Sequence, residues 1–112
     1  FSSGALAVGT SVATTRFLST GTAPTVANTT SNSCGTTAAT IAGKDQASVI
    51  TVGATSGTSC TVTFNVAFAN APVCVASGSA ATDLTVATTT TTAIVAGTLT
   101  AAEKIKLICL GY

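Results

Sequence analysis

Four cysteines, Cys34, Cys60, Cys74 and Cys109, are the residues of this 112-residue chain whose type and spacing most plainly imply chemistry. Their successive separations are 26, 14 and 35 residues. No Cys-x-x-Cys pair therefore presents two thiolates to one tetrahedral metal. Two disulfides are the expectation, because a small domain with an alanine-rich core buries little area per residue and gains from covalent staples. Free buried cysteines and a metal site are the rival accounts. Disulfides imply an oxidising, extracellular destination, and neither a metal nor another cofactor is expected.

Other chemistry has few carriers. The chain contains no histidine, which removes the commonest general base and metal ligand. Its acids are Asp45, Asp83 and Glu103, far apart in sequence, with neither a calcium-loop pattern nor a close carboxylate pair of the kind glycosidases use. Ser56 or Ser59 with Lys44 would make a Ser-Lys dyad, but nothing in the spacing argues for it. A glycine-rich phosphate loop is also missing. The expectation is that the protein is not an enzyme.

Composition narrows the partners. The chain has 25 threonines and 21 alanines, is 46% hydrophobic and only 6% charged, against a usual charged share of about a quarter. Threonine must supply the wet faces. Four cations against three acids give a net charge of +1, too little for a nucleic-acid-binding stripe or a polybasic membrane patch. No run approaches the roughly 18 to 20 apolar residues needed to span a bilayer, and Phe1–Val12 is too broken by Gly and Ser for a signal core, so membrane insertion is not expected. The chain does not begin with Met, which suggests processing or a longer parent polypeptide.

Length allows one domain, and its elements must position whatever functions. Residues 1–32 read as an extended stalk or linker in which Ala5–Val8 and Val12–Leu18 could form short strands, with a linker over Gly21–Asn32 stiffened by Pro24. Residues 33–112 carry period-two patterns and turn signals about every ten residues, the signature of an all-β sandwich or barrel. About seven strands are expected. Thr36–Ala42 and Ser48–Ala54 flank a turn at Gly43–Asp45. In Cys60–Phe68, the residues Cys60, Val62, Phe64, Val66 and Phe68 share one face. Pro72–Ser77, Asp83–Thr88 and Thr91–Gly97 follow. Thr88–Thr92 reads as a turn between strand ends and not as a hydroxyl ladder, because consecutive residues of a strand alternate faces. Thr100–Ile105 suggests a short helical turn before a last strand with Ile105, Leu107 and Cys109 inward and Lys104, Lys106 and Ile108 outward.

Alternation also bears on the cysteines. Cys60 and Cys109 point to core faces, and Cys34 lies at the same end of the sheet as the start of the Cys60 strand. The preferred pairs are Cys34 with Cys60 and Cys74 with Cys109, among three possible connectivities. Each bridge would constrain the unfolded chain by about 3 to 4 kcal/mol in the chain-entropy model.

Several spaced landmarks have a familiar look together: Ser33-Cys34-Gly35, Gly43-Lys44-Asp45, Ile50–Gly53, Ser59–Phe64, Ala71–Ser77 and Ile108–Tyr112. Over about the last 90 residues the chain resembles the small C-terminal β domain of tailed-phage tail-fibre and related virion fibre proteins. Leu107 and Leu110 depart from the pattern in the last strand, where an aromatic residue and Ile or Val are common. The resemblance implies a structural, trimeric virion fibre tip that contacts the host cell surface, with a surface glycan or protein as its receptor. A three-fold stalk would bury Ala5, Leu6, Val8, Val12, Phe17 and Leu18 against symmetry mates. Receptor contact would fall on exposed hairpin loops, where Lys44, Asp45, Ser56, Thr58, Ser79, Asp83 and Thr90 are the candidates. The alternative is an extracellular filament subunit that polymerises by donating its N-terminal segment as a strand to the next copy.

Overall fold

In the computed structural model, residues 21–27, 34–35, 39–80 and 83–112 are described. They form eight strands: β1 Thr25–Val26, β2 Thr40–Gly43, β3 Ala47–Thr51, β4 Gly57–Thr63, β5 Val73–Gly78, β6 Thr85–Thr88, β7 Thr92–Leu99 and β8 Lys104–Leu110. Sheet A has the order β1-β4-β7-β6 and sheet B the order β2-β3-β8-β5. All pairings are antiparallel. The all-β expectation holds, as a sandwich, with one strand more than the pattern suggested.

Strict alternation builds the sheets. Along β8 (KIKLICL) every second residue is buried, so Ile105, Leu107 and Cys109 enter the core while Lys104, Lys106, Ile108 and Leu110 face out. Ile50 and Val52 from the β3 side, Cys60, Val62 and Phe64 from the β4 side, and Ala93, Val95 and Leu99 of β7 complete one core between the sheets. A fully buried Val, Leu or Ile contributes about 1.5–3 kcal/mol, so β3, β4, β7 and β8 carry most of the stability. Both disulfides are formed in the preferred pairing, Cys34–Cys60 and Cys74–Cys109. Cys74 lies directly opposite Cys109 in the β5–β8 register, which locks that pair of strands together.

Three sequence expectations need correction. Residues 25 and 26, inside the expected linker, pair with Thr63 and Val62 as the edge strand of sheet A, and Pro24 is buried. The sandwich thus reaches upstream of residue 33. The strand expected to run to Phe68 ends at Thr63. Beyond it the Asp45 carboxylate accepts hydrogen bonds from the Asn65 and Val66 amides at 2.8 and 3.0 Å, which turns the chain and leaves Val66 66% exposed. Phe68 returns to meet Phe64 edge-on, 4.8 Å between ring centroids. Finally, Thr100–Glu103 is a tight turn instead of a helical one. Glu103 N donates to Thr100 O at 3.1 Å, and Ala102 holds φ at 60°, a left-handed conformation that cannot propagate a helix.

The threonine run behaves as expected. Thr88 ends β6, Thr92 begins β7, and the Thr89 hydroxyl accepts from the amides of Thr91 and Thr92 at 3.2 and 3.0 Å. A threonine side chain thereby closes its own turn.

Candidate interaction surface

Strand directions divide the loops between two ends. The chain comes in from Gly21–Pro24 beside Thr63, at the end that also carries the β2–β3 turn, the β4–β5 loop, the β6–β7 turn and the C-terminal Tyr112. We call this end proximal. It is tied together by Asp45, by Phe64 N and Phe68 N donating to Thr91 O and Thr90 O at 2.9 and 2.8 Å, and by Asn70 Nδ2 donating to Tyr112 O at 2.8 Å. The distal end carries the β3–β4, β5–β6 and β7–β8 connections with Cys34 and Gly35. Gly35, at φ 78°, accepts from Thr55 N at 3.2 Å, and Cys34 accepts from Gly53 N at 2.9 Å. A Cβ at Gly35 would strike the backbones of Gly53 and Thr55, so only glycine fits there.

The seven loop candidates accordingly do not converge. Lys44, Asp45 and Thr90 lie at the proximal end; Ser56, Thr58, Ser79 and Asp83 lie at or next to the distal end. The expected interface residues Ala5, Leu6, Val8, Val12, Phe17 and Leu18 lie outside the described residues.

Two of the three acids, Asp45 and Glu103, accept hydrogen bonds from main-chain amides. Asp45 engages two amides at the proximal end. Glu103, 4% exposed, accepts from Thr100 N at 2.9 Å and Ala80 N at 3.1 Å at the distal end. Asp83 is exposed. Lys44 and Ser56 sit at opposite ends of the sandwich, too far apart for a dyad. All four cysteines are in disulfides, and among the described residues no group of three His, Cys, Asp or Glu is placed to hold a metal. No helix among them is long and apolar enough to cross a membrane.

What the topology does bring together is the outer face of sheet B. Val73 lies opposite Leu110; Val75 and Ala47 flank Ile108; Ser77 and Val49 flank Lys106; Thr51 lies opposite Lys104. The first two rows are apolar and proximal, and the next two carry the lysines toward the distal end. Val73, Val75 and Leu110 are 63–64% exposed and Ile108 50%. Scattered exposed aliphatics are ordinary on a protein surface, but adjoining ones in strand register form a patch of the kind that marks an interaction site. The outer face of sheet A differs, with Thr25, Thr61, Thr63, Thr85, Ala87, Ile94 and Thr98 mixing methyl and hydroxyl groups.

The sheet B face was within reach of the sequence. Pairing Cys74 with Cys109 places Val73 and Val75 across from Leu110 and Ile108 by alternation alone, a step the strand-by-strand reading did not take.

No protein-family model matches the chain, and neither a curated protein nor a solved structure matches it.

Proposed function

We propose that this domain is the structural, non-catalytic tip of an extracellular virion fibre, a homotrimer whose subunits pack through the proximal half of the outer face of sheet B. The tip meets the host cell surface with its distal end. The observation that carries the reading is the row of Val73, Val75, Ile108 and Leu110, 50–64% exposed on a sheet face that no part of the described chain covers. Two further features support it. The patch lies at the end where the chain comes in from residues 1–20, so a stalk made of those segments would be continuous with it. Two disulfides suit an oxidising, extracellular setting. Three-fold symmetry comes from the fibre resemblance, and it makes Ser56, Thr58, Ser79 and Asp83 the outward candidates for receptor contact.

The alternative, a filament built by strand donation, draws on β5, six residues at the edge of sheet B and paired on one side only. An uncharged strand of that length is an open template. Light scattering on the native protein separates the two. The fibre reading expects a discrete mass of three chains that falls to one on removal of residues 1–22 or on Ile108→Lys, with the circular dichroism spectrum unchanged. Polydisperse polymers abolished by the truncation would favour the filament, and a native single-chain mass would overturn both.

A further inference from the structure

Of the three acidic side chains only Glu103 is buried, at 4% exposure. Its two oxygens are divided between two connections. Oε1 accepts from Thr100 N at 2.9 Å and Oε2 from Ala80 N at 3.1 Å. The two sites do not depend on the carboxylate equally. The β7–β8 turn is also closed by main-chain bonds, from Glu103 N to Thr100 O at 3.1 Å and from Ala102 N to Gly53 O at 3.0 Å. Among the described residues, the main chain anchors the β5–β6 connection as far as Ser79, whose amide donates to Lys104 O at 2.9 Å. The next amide, that of Ala80, is tied to the carboxylate. Gly78, the last residue of β5, leaves room for this contact, since a Cβ there would strike the Glu103 carboxylate.

A proton changes what this carboxyl group can hold. The oxygen that takes it becomes a hydroxyl donor with reduced accepting capacity, and the other oxygen loses its charge assistance. The longer bond, to the connection without main-chain support past Ser79, is the one to yield. Few other groups titrate at this end. The chain has no histidine, and residues 52–56, 79–82 and 100–102 carry no titratable side chain. The charged groups around Glu103 are Asp83, whose Oδ1 lies beside Gly97 of β7, and the outward Lys104 and Lys106, with the Lys104 ammonium donating to Thr51 Oγ1 at 3.2 Å. Both lysines stay charged throughout the acid range. We propose that Glu103 is a proton-operated latch. As a carboxylate it holds the β5–β6 connection to the sandwich, and on protonation it releases that connection at Ala80 while both sheets stay folded. The latch stands apart from the fibre reading, but its use in the tip rests on that reading. The connection carries Ser79 and Asp83, so acid would change how the distal end meets the cell surface.

The test is an NMR titration of the full chain from about pH 7 to about pH 3, the range in which carboxylates take up protons. It reads the Glu103 carboxyl carbon and, by hydrogen exchange, amide protection factors, which remove the intrinsic pH dependence of exchange. Protection at Ala80 should fall about tenfold or more, the equivalent of one charge-assisted hydrogen bond, with the midpoint of the Glu103 carbon. Thr100 should lose less, and Leu107 in the core of β8 should not change. Asp83→Asn removes the other distal carboxylate and should leave the transition in place, whereas Glu103→Gln, which cannot titrate, should abolish it. The proposal is overturned by a Glu103 carbon that does not titrate in this range, by Ala80 protection that ignores its titration, or by loss of the transition in Asp83→Asn. Persistence in Glu103→Gln, or a fall at Leu107 with the same midpoint, which would mean global acid unfolding, overturns it as well. A single-chain mass in light scattering would remove the fibre reading and leave these outcomes untouched.

Discussion

Glu103 is the side chain whose replacement tests most directly how the distal end is held. Its carboxylate is buried and accepts from two main-chain amides that belong to different connections, Thr100 in the β7–β8 turn and Ala80 after β5. Its own carbonyl accepts from Val52 N at 2.8 Å, so a third connection converges on the same residue. A hydrogen bond to a charged group contributes about 1.5–3 kcal/mol, and a buried donor left unpaired loses its full solvation. Glu103→Gln preserves volume and one oxygen but sets an NH₂ against one of the two amides, at a cost of about 2–3 kcal/mol. Glu103→Ala removes both acceptors and should cost about 3–5 kcal/mol, a large part of a total stability of about 5–15 kcal/mol. Urea unfolding with a constant m value measures the loss, and hydrogen exchange at Ala80 and Thr100 locates it. A Glu103→Gln midpoint within about 0.5 kcal/mol of the parent, the range of an ordinary surface change, would refute the clamp.

Asp45→Ala should free the Asn65 and Val66 amides, speed their exchange and lower stability by about 1–2 kcal/mol, less than Glu103 because the site is partly solvated; exchange rates unchanged at those two amides would contradict the assigned role. Replacing Cys34 and Cys60 by Ser should cost about 3–4 kcal/mol, and so should replacing Cys74 and Cys109, but with different footprints. The β5–β8 ladder remains around the second pair, so exchange should rise globally there and locally at residues 34–35 and 53–55 for the first. Gly35→Ala combines a left-handed φ with backbone collisions, and should lower the urea midpoint by an amount equivalent to at least about 2 kcal/mol.

Elements with their own periodicity could be read without a structure. β8 alternates so regularly that its inward and outward sets followed from the letters KIKLICL, and strand parity and order favoured, among three connectivities, the pairing that the two disulfides take. What escaped notice depended on partners remote in sequence. β4 stops at Thr63 because a carboxylate 20 residues upstream of Asn65 takes over its amides, and no local signal in TFNVAF announces this. The pair Thr25–Val26 is too short to show a pattern and becomes a strand only through Thr63 and Val62. Glu103 has helix-forming neighbours, Ala101 and Ala102, yet tertiary bonds to Gly53 and Ala80 settle the turn instead. Sequence cannot weigh such competition, since propensity differences among these residues are under about 1 kcal/mol.

The scarcity of charge gives the outer face of sheet B its meaning. On an ordinary surface two lysines would sit among a dozen carboxylates, and their field would be cancelled within a screening length of about 8 Å. Here seven charged side chains serve the whole chain, and two of the three carboxylates are engaged with backbone amides. Hydroxyl and methyl groups fill the rest of the surface and contribute no net field. At the distal half Lys104 and Lys106 share the local field with the carboxylates of Glu103 and Asp83, while the proximal half of the face offers only apolar contact. One sheet face therefore joins two apolar rows to two adjoining rows that carry the lysines, held in register by a single cross-strand disulfide. In the proposed tip, the apolar rows would turn toward neighbouring subunits near the stalk. The distal loops would remain at the margin closest to the cell surface, where a weak contact repeated three times gains from multivalency.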